Sequence, residues 1–340
     1  MPKIALIVDT DYWAFGNIAR QLQRYLADRF YFVVIPMDII DNIGQVLIMT
    51  RDCEIVHFFW REHLTAIGSA CLKGYAESMG MSYELFHERF IASKRLSTSI
   101  YDHLFLADAE LNCRAHIFSQ LVTGYTVSSE KLSVLYSDLQ GYPKPASVIE
   151  DGVDLTQFKA KNLERFKEIG KRELVIGWVG NSMWAAEFED FKGLHTILKP
   201  AIDQLQKEGV PVRALFADRQ EQFIPHEQMP DYYSKIDVYV CVSKIEGTPN
   251  PVLEAMACGV PVISTDVGIV PQAFGELQGR FILSERSVEA VKKSILKLVS
   301  EPELLTRLST ENMEGIRAWD WSIMAGKFGR YFDQLLVTTK

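Results

Sequence analysis

A chain of 340 residues is longer than one hydrophobic core usually supports and predicts two medium-sized α/β domains. With 48% hydrophobic and 24% charged residues, its composition excludes a disordered, low-complexity or fibrous protein. The net charge of −8 is divided equally between residues 1–150 and 151–340, so neither half has the clustered positive charge with which proteins bind nucleic acid. We therefore expect no nucleic-acid partner.

The cysteines and the N-terminal apolar run both bear on the cellular compartment. The five cysteines are widely spaced and never form a C-x-x-C pair, which favours a reducing compartment. The run Ile4–Val8 is too short for the core of a signal peptide, and no uncharged apolar stretch approaches the roughly 18–20 residues of a membrane helix. We expect a cytoplasmic protein, with peripheral contact at the inner membrane face left open.

The first 150 residues show the rhythm of a βαβ fold. Short apolar runs that favour strands alternate with stretches of helical spacing, for example Ile18, Leu22 and Leu26. The predicted strands are Ile4–Val8, Tyr31–Ile35, Ile55–Phe59, Thr98–Tyr101, Gly124–Val127 and Ser147–Ile149. Residues 151–172 are charged and helical without a strand, so we place the domain hinge there.

The same rhythm restarts in the second half of the chain. The predicted elements are strands at Leu174–Gly180, Val212–Phe216, Val238–Val242 and Val260–Ser264, a helix near Leu194–Glu208, and a last amphipathic segment from Trp319 to Leu336. The fold class is therefore α/β, with doubly wound domains at 1–150 and 151–316 and a terminal helix at 317–340. Ligands of open α/β sheets bind at the carboxyl ends of the strands, so the site is expected in the cleft between the domains.

The segment that follows the strand at Val238–Val242 contains a helix start suited to an anion. A loop with Gly247 leads from the strand to Asn250-Pro251. Asn caps free backbone amides, and Pro suits the first helical position because it has no amide hydrogen to satisfy. The positive end of such a helix is favourable for a diphosphate.

Two glutamates flank this predicted anion site. Glu246 lies in the loop, and Glu254 is predicted in the first turn of the helix. Each carboxylate can accept hydrogen bonds from the paired hydroxyls of a ribose or a sugar. Considered singly, each has a plainer alternative: Glu246 is solvated, and Glu254 merely suits the helix dipole.

Together with the following Ala-Met-Ala-x-Gly-x-Pro-Val, this segment resembles the Glu-x7-Glu signature of the retaining, nucleotide-sugar-dependent glycosyltransferases of family 4. Residues 148–158 resemble the interdomain segment of that family, with Asp151 in place of the usual Asn. Residues 232–238 resemble the strand before the signature, and Trp319-Asp-Trp-Ser resembles the last helix, which crosses back to the first domain. The resemblance covers residues 123–336 well and residues 1–120 weakly.

The resemblance implies a fold and a reaction. The fold is GT-B, with two Rossmann-like domains facing across a cleft. The reaction is a hexosyl transfer with retention, from a nucleoside diphosphate sugar to the hydroxyl of a glycan or lipid-linked acceptor, in surface polysaccharide or glycolipid synthesis. The donor is a substrate, and neither a metal nor another cofactor is required.

The resemblance also implies roles for residues of the second domain. Glu246 contacts the hydroxyls of the donor sugar, and Glu254 holds the ribose. Lys192, which precedes a glycine, neutralises the diphosphate, with a solvated surface lysine as the alternative. Backbone amides between the two glutamates face the diphosphate. Pro249 and Pro251 cannot contribute to this contact, because they lack an amide hydrogen. The remaining amide candidates are Thr248, Asn250, Val252 and Leu253, and Gly247 in the preceding loop is a further residue of the nucleotide-sugar site.

The chain departs from the family at one important position. After Gly180 the family has an arginine that binds the diphosphate, and this chain has Asn181. An amide stabilises phosphate charge less than a guanidinium does, so either another cation substitutes or the reaction is slow. This departure leaves the alternative of a GT-B-fold protein that binds a nucleotide sugar without transferring it. A dehydrogenase is disfavoured because no G-x-G-x-x-G follows either first strand.

The first domain has weaker signals. Asp9-Thr10-Asp11 follows the first strand and has the form of a metal-binding Asp-x-Asp, which we reject because the signature of the second domain belongs to a fold that needs no metal. The next loop takes the place of the family's glycine-rich loop, from which only Gly16 remains. Its aromatic residues either stack on the acceptor or pack against the first helix; they are Tyr12, Trp13 and Phe15.

Two histidines of the first domain are candidates for the reaction. His103, with Asp102 beside it, lies where the family commonly places a histidine near the donor sugar; a core or capping histidine is the alternative. His57, at the end of the third strand, is a second candidate in the acceptor half. No pattern supports a function for the other histidines, which are His63, His87, His116, His195 and His226.

Overall fold

The computed structural model describes residues 1–68, 70–104 and 108–338. The chain divides into two units: Met1–Asp151 together with Trp321–Lys340 form the first, and Gly152–Asp320 form the second. Each unit has a parallel sheet and hydrophobic clusters of its own.

The sheet of the first unit contains six parallel strands among the described residues, in the order β2-β1-β3-β4-β5-β6. The strands are β1 (Lys3–Val8), β2 (Tyr31–Pro36), β3 (Ile55–Phe58), β4 (Arg95–Ile100), β5 (Val122–Val127) and β6 (Ser147–Val148). β1 is paired on both sides and buried from Ile4 to Val8, which explains its continuous apolar sequence.

Helices connect these strands. They are α1 (Ala14–Leu26), α2 (Ile43–Met49), α3 (Glu62–Thr65), α4 (Ala70–Ser78), α5 (Tyr83–His87), α6 (Asp108–Leu121) and α7 (Glu130–Asp138). α1 buries Ile18, Leu22 and Leu26, the residues whose helical spacing predicted it.

The sheet of the second unit contains four parallel strands in the part of the chain that is described, in the order β10-β9-β7-β8. They are β7 (Leu174–Gly180), β8 (Val212–Asp218), β9 (Val238–Cys241) and β10 (Val262–Ser264). The helices are α8 (Lys199–Lys207), α9 (Met229–Tyr233), α10 (Asn250–Ala257), α11 (Val270–Ala273), α12 (Glu276–Gly279), α13 (Val288–Ser300) and α14 (Glu303–Gly315). Side chains of β7, β9, α13 and α14 share one core.

The last helix, α15 (Trp321–Val337), belongs to the first unit. Its Tyr331 hydroxyl lies 2.6 Å from the Ser97 hydroxyl of β4. Its Phe332 ring meets the edge of Phe30, with 5.9 Å between the ring centroids. The C-terminal segment therefore completes the core built by the N-terminal sheet.

The two sheets confirm the predicted fold class of two doubly wound α/β domains, and every predicted strand is present. β4 begins earlier than predicted, at Arg95, and β10 begins later, at Val262, directly after Pro261, which has no amide hydrogen for a ladder. Residues 151–172 lack a strand longer than a bridge, as predicted, but their helical content is limited to a 3-10 helix at Leu163–Glu168. Among the described residues, no helix combines the length and apolar character needed to span a membrane.

Candidate functional site

The loops after β9 and β10 hold each other at one edge of the second unit's sheet. Thr265 Oγ1 donates a hydrogen bond to the Ser243 carbonyl at 2.6 Å, and the Ile269 amide donates to the Gly247 carbonyl at 3.0 Å. Gly268 has a φ of 47°, and a Cβ there would lie 1.9 Å from the Gly247 oxygen, so this contact requires glycine. The backbone around Gly247 and the buried Thr248 is therefore fixed before α10 begins.

α10 begins at Asn250, with Pro249 at the N-cap position. The prediction that Asn250 caps this helix is therefore wrong, because Asn250 and Pro251 are its first two residues. The Pro249 carbonyl already accepts the Val252 amide at 2.8 Å, which starts the helix one residue early and commits that amide to the helix itself. Diphosphate contacts by the other predicted amides, including that of Leu253, stay predictions.

Lys192 lies in a turn with a fixed backbone. The Asp190 carboxylate accepts the Gly193 amide on one oxygen at 2.8 Å and the His195 amide on the other at 2.9 Å. Burial alone would raise the pKa of Asp190, but these bonds and those from Thr196 outweigh it and lower the pKa. Gly193 has a φ of 70°, and a Cβ there would lie 2.6 Å from the Val242 carbonyl. The turn is thus packed against the end of β9.

The structure brings Lys192 and Glu246 together. Lys192 Nζ lies 2.6 Å from Glu246 Oε1, and the two side chains are only 20% and 17% exposed. The ammonium group also lies 4.9 Å from the centroid of the Trp184 ring. A cation and a carboxylate of the predicted site therefore share one partly buried position.

Glu254 is buried one turn into α10, so its predicted place in the first turn is wrong. Tyr233 donates its hydroxyl to Glu254 Oε2 at 2.8 Å, and His226 Nε2 lies 2.9 Å from Oε1. Burial and then the negative charge of Glu254 raise the pKa of Tyr233, which keeps the phenol protonated as a donor. The Glu254 carboxylate is thus held on both oxygens.

His226 is the site residue that sequence reasoning missed. It lies in the 3-10 helix His226–Gln228, before α9, and is 28 positions from Glu254 along the chain. The sequence contains no local pattern that joins the two residues, because the contact depends on how the 3-10 helix packs against α10.

Gly180 is the last residue of β7, and Asn181 follows it, as predicted. A Cβ on Gly180 would lie 2.9 Å from the Trp178 ring, so this close packing favours glycine. The Asn181 side-chain oxygen accepts the Gln220 side-chain amide at 2.7 Å and the Met183 amide at 3.1 Å. The Asn181 side chain is therefore hydrogen-bonded to neighbouring loop residues. Lys192, the cation predicted for the diphosphate, forms an ion pair with Glu246.

Gly16 is part of a tight contact in the first unit. A Cβ there would lie 2.1 Å from the Asp11 carbonyl oxygen. Arg20 of α1 donates to the same carbonyl and lies 3.3 Å from the Asp11 carboxylate. Among the described residues, no group of three or more His, Cys, Asp or Glu side chains is arranged to hold a metal ion.

His57 is a core residue. Its two ring nitrogens lie 2.9 Å from the Ser97 hydroxyl and 3.1 Å from the Ser99 hydroxyl, and its side chain is fully buried. Burial lowers the pKa of His57 to about 3, so the ring is neutral. This buried, neutral ring does not favour the candidate role of His57 toward an acceptor.

Asp102 and His103 follow β4. The Asp102 carboxylate is buried and accepts Arg61 Nη2 at 2.6 Å and the Leu104 amide at 2.9 Å. His103 is half-buried, and burial lowers its pKa against the opposing charge of Asp102. Arg61, which sequence reasoning did not single out, thus engages Asp102, and the reaction roles of Asp102 and His103 stay predictions.

Comparison with known proteins finds a family match within the second unit and relatives that align with part of the chain. Residues 188–314 match the family model of the glycosyl transferases group 1. The putative teichuronic acid biosynthesis glycosyltransferase TuaC of Bacillus subtilis is 28% identical over 200 residues, which are 56% of this chain and 50% of that protein. The O-antigen chain mannosyltransferase B of Escherichia coli is 26% identical over 99 residues, 29% of this chain and 26% of its own. The chain thus spans half or less of these two relatives, and group 1 is the family that its second unit resembles.

Solved structures support the fold over nearly the whole chain. Sucrose-phosphate synthase of Thermosynechococcus elongatus has a TM-score of 0.70 at 16% identity and covers 100% of both chains. Anabaena HepE in complex with UDP has a TM-score of 0.70 at 12% identity and covers 98% of this chain and 100% of its own. These likenesses confirm the GT-B fold class. Assignment to family 4 stays a prediction.

Proposed function

We propose that the chain is a retaining glycosyltransferase that binds a nucleoside diphosphate sugar through its second unit and transfers the sugar to an acceptor hydroxyl. The observation that carries this proposal is the contact between Lys192 and Glu246 in the unit whose helix α10 holds Glu254. This unit then offers a cation for the diphosphate, a carboxylate for the sugar and a carboxylate for the ribose.

The comparisons support the same proposal. The stretch that matches the group 1 glycosyl transferases contains Lys192, Glu246 and Glu254. Anabaena HepE, a structural neighbour, has been solved with UDP and with UDP-glucose, which makes UDP the first nucleotide to test. Relatives named for teichuronic acid and O-antigen synthesis favour a surface polysaccharide or a lipid-linked glycan as the acceptor.

The proposed chemistry assigns one task to each group. The departing diphosphate gains negative charge, which Lys192 and the amides at the start of α10 stabilise. Glu246 accepts hydrogen bonds from hydroxyls of the transferred sugar and so orients the anomeric carbon of that sugar. Glu254 accepts the ribose hydroxyls and holds the nucleotide through the reaction. The acceptor attacks from the leaving-group face, so no residue is assigned as a covalent nucleophile.

A second candidate function is nucleotide-sugar binding without transfer. It is favoured by the neutral Asn181, whose side-chain oxygen accepts the Gln220 amide at the position where the family resemblance expects an arginine. A protein that lacks this cation still binds its donor, but stabilises the departing diphosphate less.

Donor binding and donor hydrolysis separate these functions. The chain is titrated with UDP-, GDP- and ADP-sugars while its thermal unfolding is followed, because a ligand at 100 times its Kd adds about 2.7 kcal/mol of stability. Release of nucleoside diphosphate from the bound donor without acceptor is then measured. Slow release supports a transferase, and binding without release or transfer supports the second candidate. Failure of every nucleotide sugar to bind would overturn both.

A further inference from the structure

Two side chains hold the carboxylate of Glu254, and neither has a role in the function proposed above. Tyr233 donates to one oxygen, and His226 Nε2 lies within hydrogen-bond distance of the other. We propose that His226 is a positioning residue: it orients the Glu254 carboxylate and thereby sets the preference of the site for a ribose diol. This inference rests on the proposed function, because it concerns the same nucleotide.

The hydrogen bonds around His226 identify its tautomer. Gln157 Nε2 lies 2.8 Å from the His226 carbonyl oxygen, which can only accept, so this Gln157 atom is the amide nitrogen. The same nitrogen lies 3.4 Å from His226 Nδ1 and can direct its second hydrogen there. With Nδ1 as an acceptor, the ring hydrogen is on Nε2 and is donated to Glu254.

The surroundings of His226 limit its movement. The Phe158 ring lies 5.1 Å from the imidazole ring, measured between centroids. Gln157 and Phe158 belong to a turn in which the Asp154 carbonyl accepts both of their amides, at 3.0 and 2.8 Å. The imidazole is therefore held from two sides, while 32% of its side chain remains exposed.

The count of lone pairs on Glu254 connects this arrangement to ribose. An ionised carboxylate has about four acceptor positions, and the structure uses one on each oxygen. In the described part of the chain, one acceptor position on each oxygen is left, which matches two adjacent hydroxyl groups. Without the His226 donor only the Tyr233 bond holds the carboxylate, which can then turn about that bond, so the two remaining positions are no longer preset for a diol.

The test compares nucleotides that differ only in these hydroxyls. Affinities for UDP and 2′,3′-dideoxy-UDP are measured by titration calorimetry, with the GDP and ADP pairs in parallel. In the unchanged chain the diol is expected to improve affinity by about 10- to 100-fold, since it bonds a charged acceptor. In His226→Leu this ratio should fall at least about fivefold, while the Kd of the dideoxy nucleotide changes less than about twofold.

Two further variants serve as controls for this test. His226→Gln keeps an amide donor near the position of Nε2 and should restore most of the ratio. His195→Leu changes an exposed histidine of the same unit and should leave the ratio unchanged. If His226→Leu does not fold, Gln157→Met decides: loss of its bond to Nδ1 should lower the ratio about two- to threefold.

The outcomes separate this inference from the proposed function. If no nucleoside diphosphate binds the unchanged chain, the proposed function fails, and this inference fails with it. If UDP binds and Glu254→Ala abolishes the preference for the diol, while His226→Leu keeps the full preference, only the role of His226 is overturned. An equal loss of affinity for both nucleotides in His226→Leu would likewise overturn it, because it would indicate general damage.

Discussion

The ammonium nitrogen of Lys192 lies 2.6 Å from Oε1 of Glu246, and the Trp184 ring lies beside it. Each side chain neutralises the other without a ligand, which reduces the cost of keeping both charges partly buried. A diphosphate that binds Lys192 competes for this cation with Glu246. When a diphosphate occupies its proposed position, it therefore releases the Glu246 carboxylate, which is proposed to hold the sugar.

Replacing Lys192 by Met should weaken binding of the diphosphate and spare the nucleoside. We expect UDP affinity to fall about 10- to 100-fold, since a hydrogen bond to a charged group is lost, while uridine binds as before. Titration calorimetry with both ligands measures this. Lys244→Met is the matched control, because Lys244 forms an exposed ion pair with Glu189 in the same unit and should affect neither ligand. Equal losses for uridine and UDP would contradict a phosphate contact.

Asp102→Ala should destabilise the chain by about 3 kcal/mol, because it removes the closer of the two carboxylates that pair with the buried guanidinium of Arg61 and leaves Glu62 at 3.3 Å. Arg61 is only 3% exposed, so water cannot replace the lost carboxylate. Urea denaturation of the variant measures the change in free energy of unfolding. The double variant Arg61→Leu/Asp102→Ala is the control and should recover part of this stability. An Asp102→Ala variant as stable as the unchanged chain but inactive would instead favour the catalytic role.

The buried His57 should make stability depend on pH. Its pKa of about 3 in the folded chain lies below the ordinary value of about 6.5, so between these values only the unfolded chain binds this proton. The contribution is present above pH 6.5 and is lost as pH falls toward 3, by about 2 kcal/mol at pH 5. Urea denaturation at pH 8 and pH 5 should show a smaller loss for His57→Gln. Identical losses in both chains would contradict the prediction.

Sequence patterns were sufficient to predict the sheets and several residues of the proposed donor site. β1 and β7 are central strands that are buried on both faces. Each therefore appears in the sequence as a continuous apolar run, which local sequence is enough to show. Glu246 was predicted as a site residue from its place in the loop before a helix, and Lys192 was predicted from the family resemblance, which implies a lysine before a glycine. The structure then adds their direct contact.

Contacts between distant residues could not be predicted in the same way. Asp102 meets Arg61 across 41 positions, and Glu254 meets His226 across 28, and neither pair has a shared motif. The start of α10 was misjudged for a different reason. Residue preferences favour Asn250 as the cap, but the Pro249 carbonyl accepts the Val252 amide, a backbone bond that side-chain preferences do not report.

Turnover is expected to be independent of divalent metal ions. In the proposed mechanism Lys192 and the start of α10 neutralise the diphosphate, and the Asp11 carboxylate pairs with Arg20. Transfer or donor hydrolysis measured with EDTA should therefore match the rate measured without it. Abolition by EDTA with rescue by Mn²⁺, together with loss of activity in Asp11→Ala, would contradict this and restore a metal site after β1.

The two glutamates of the site should have separable effects, because the proposal gives them different parts of one donor. Glu254→Ala removes a charged acceptor from the ribose, so UDP and UDP-sugar should both bind more weakly by about 1.5–3 kcal/mol. Glu246→Ala removes a contact with the transferred sugar and also releases Lys192 from its ion pair, so UDP should bind as well as before or better while turnover falls steeply. Titration with UDP and rates of transfer or donor hydrolysis for both variants test this. Equal losses of UDP affinity would contradict the separate roles, and full turnover in Glu246→Ala would contradict transfer at this site.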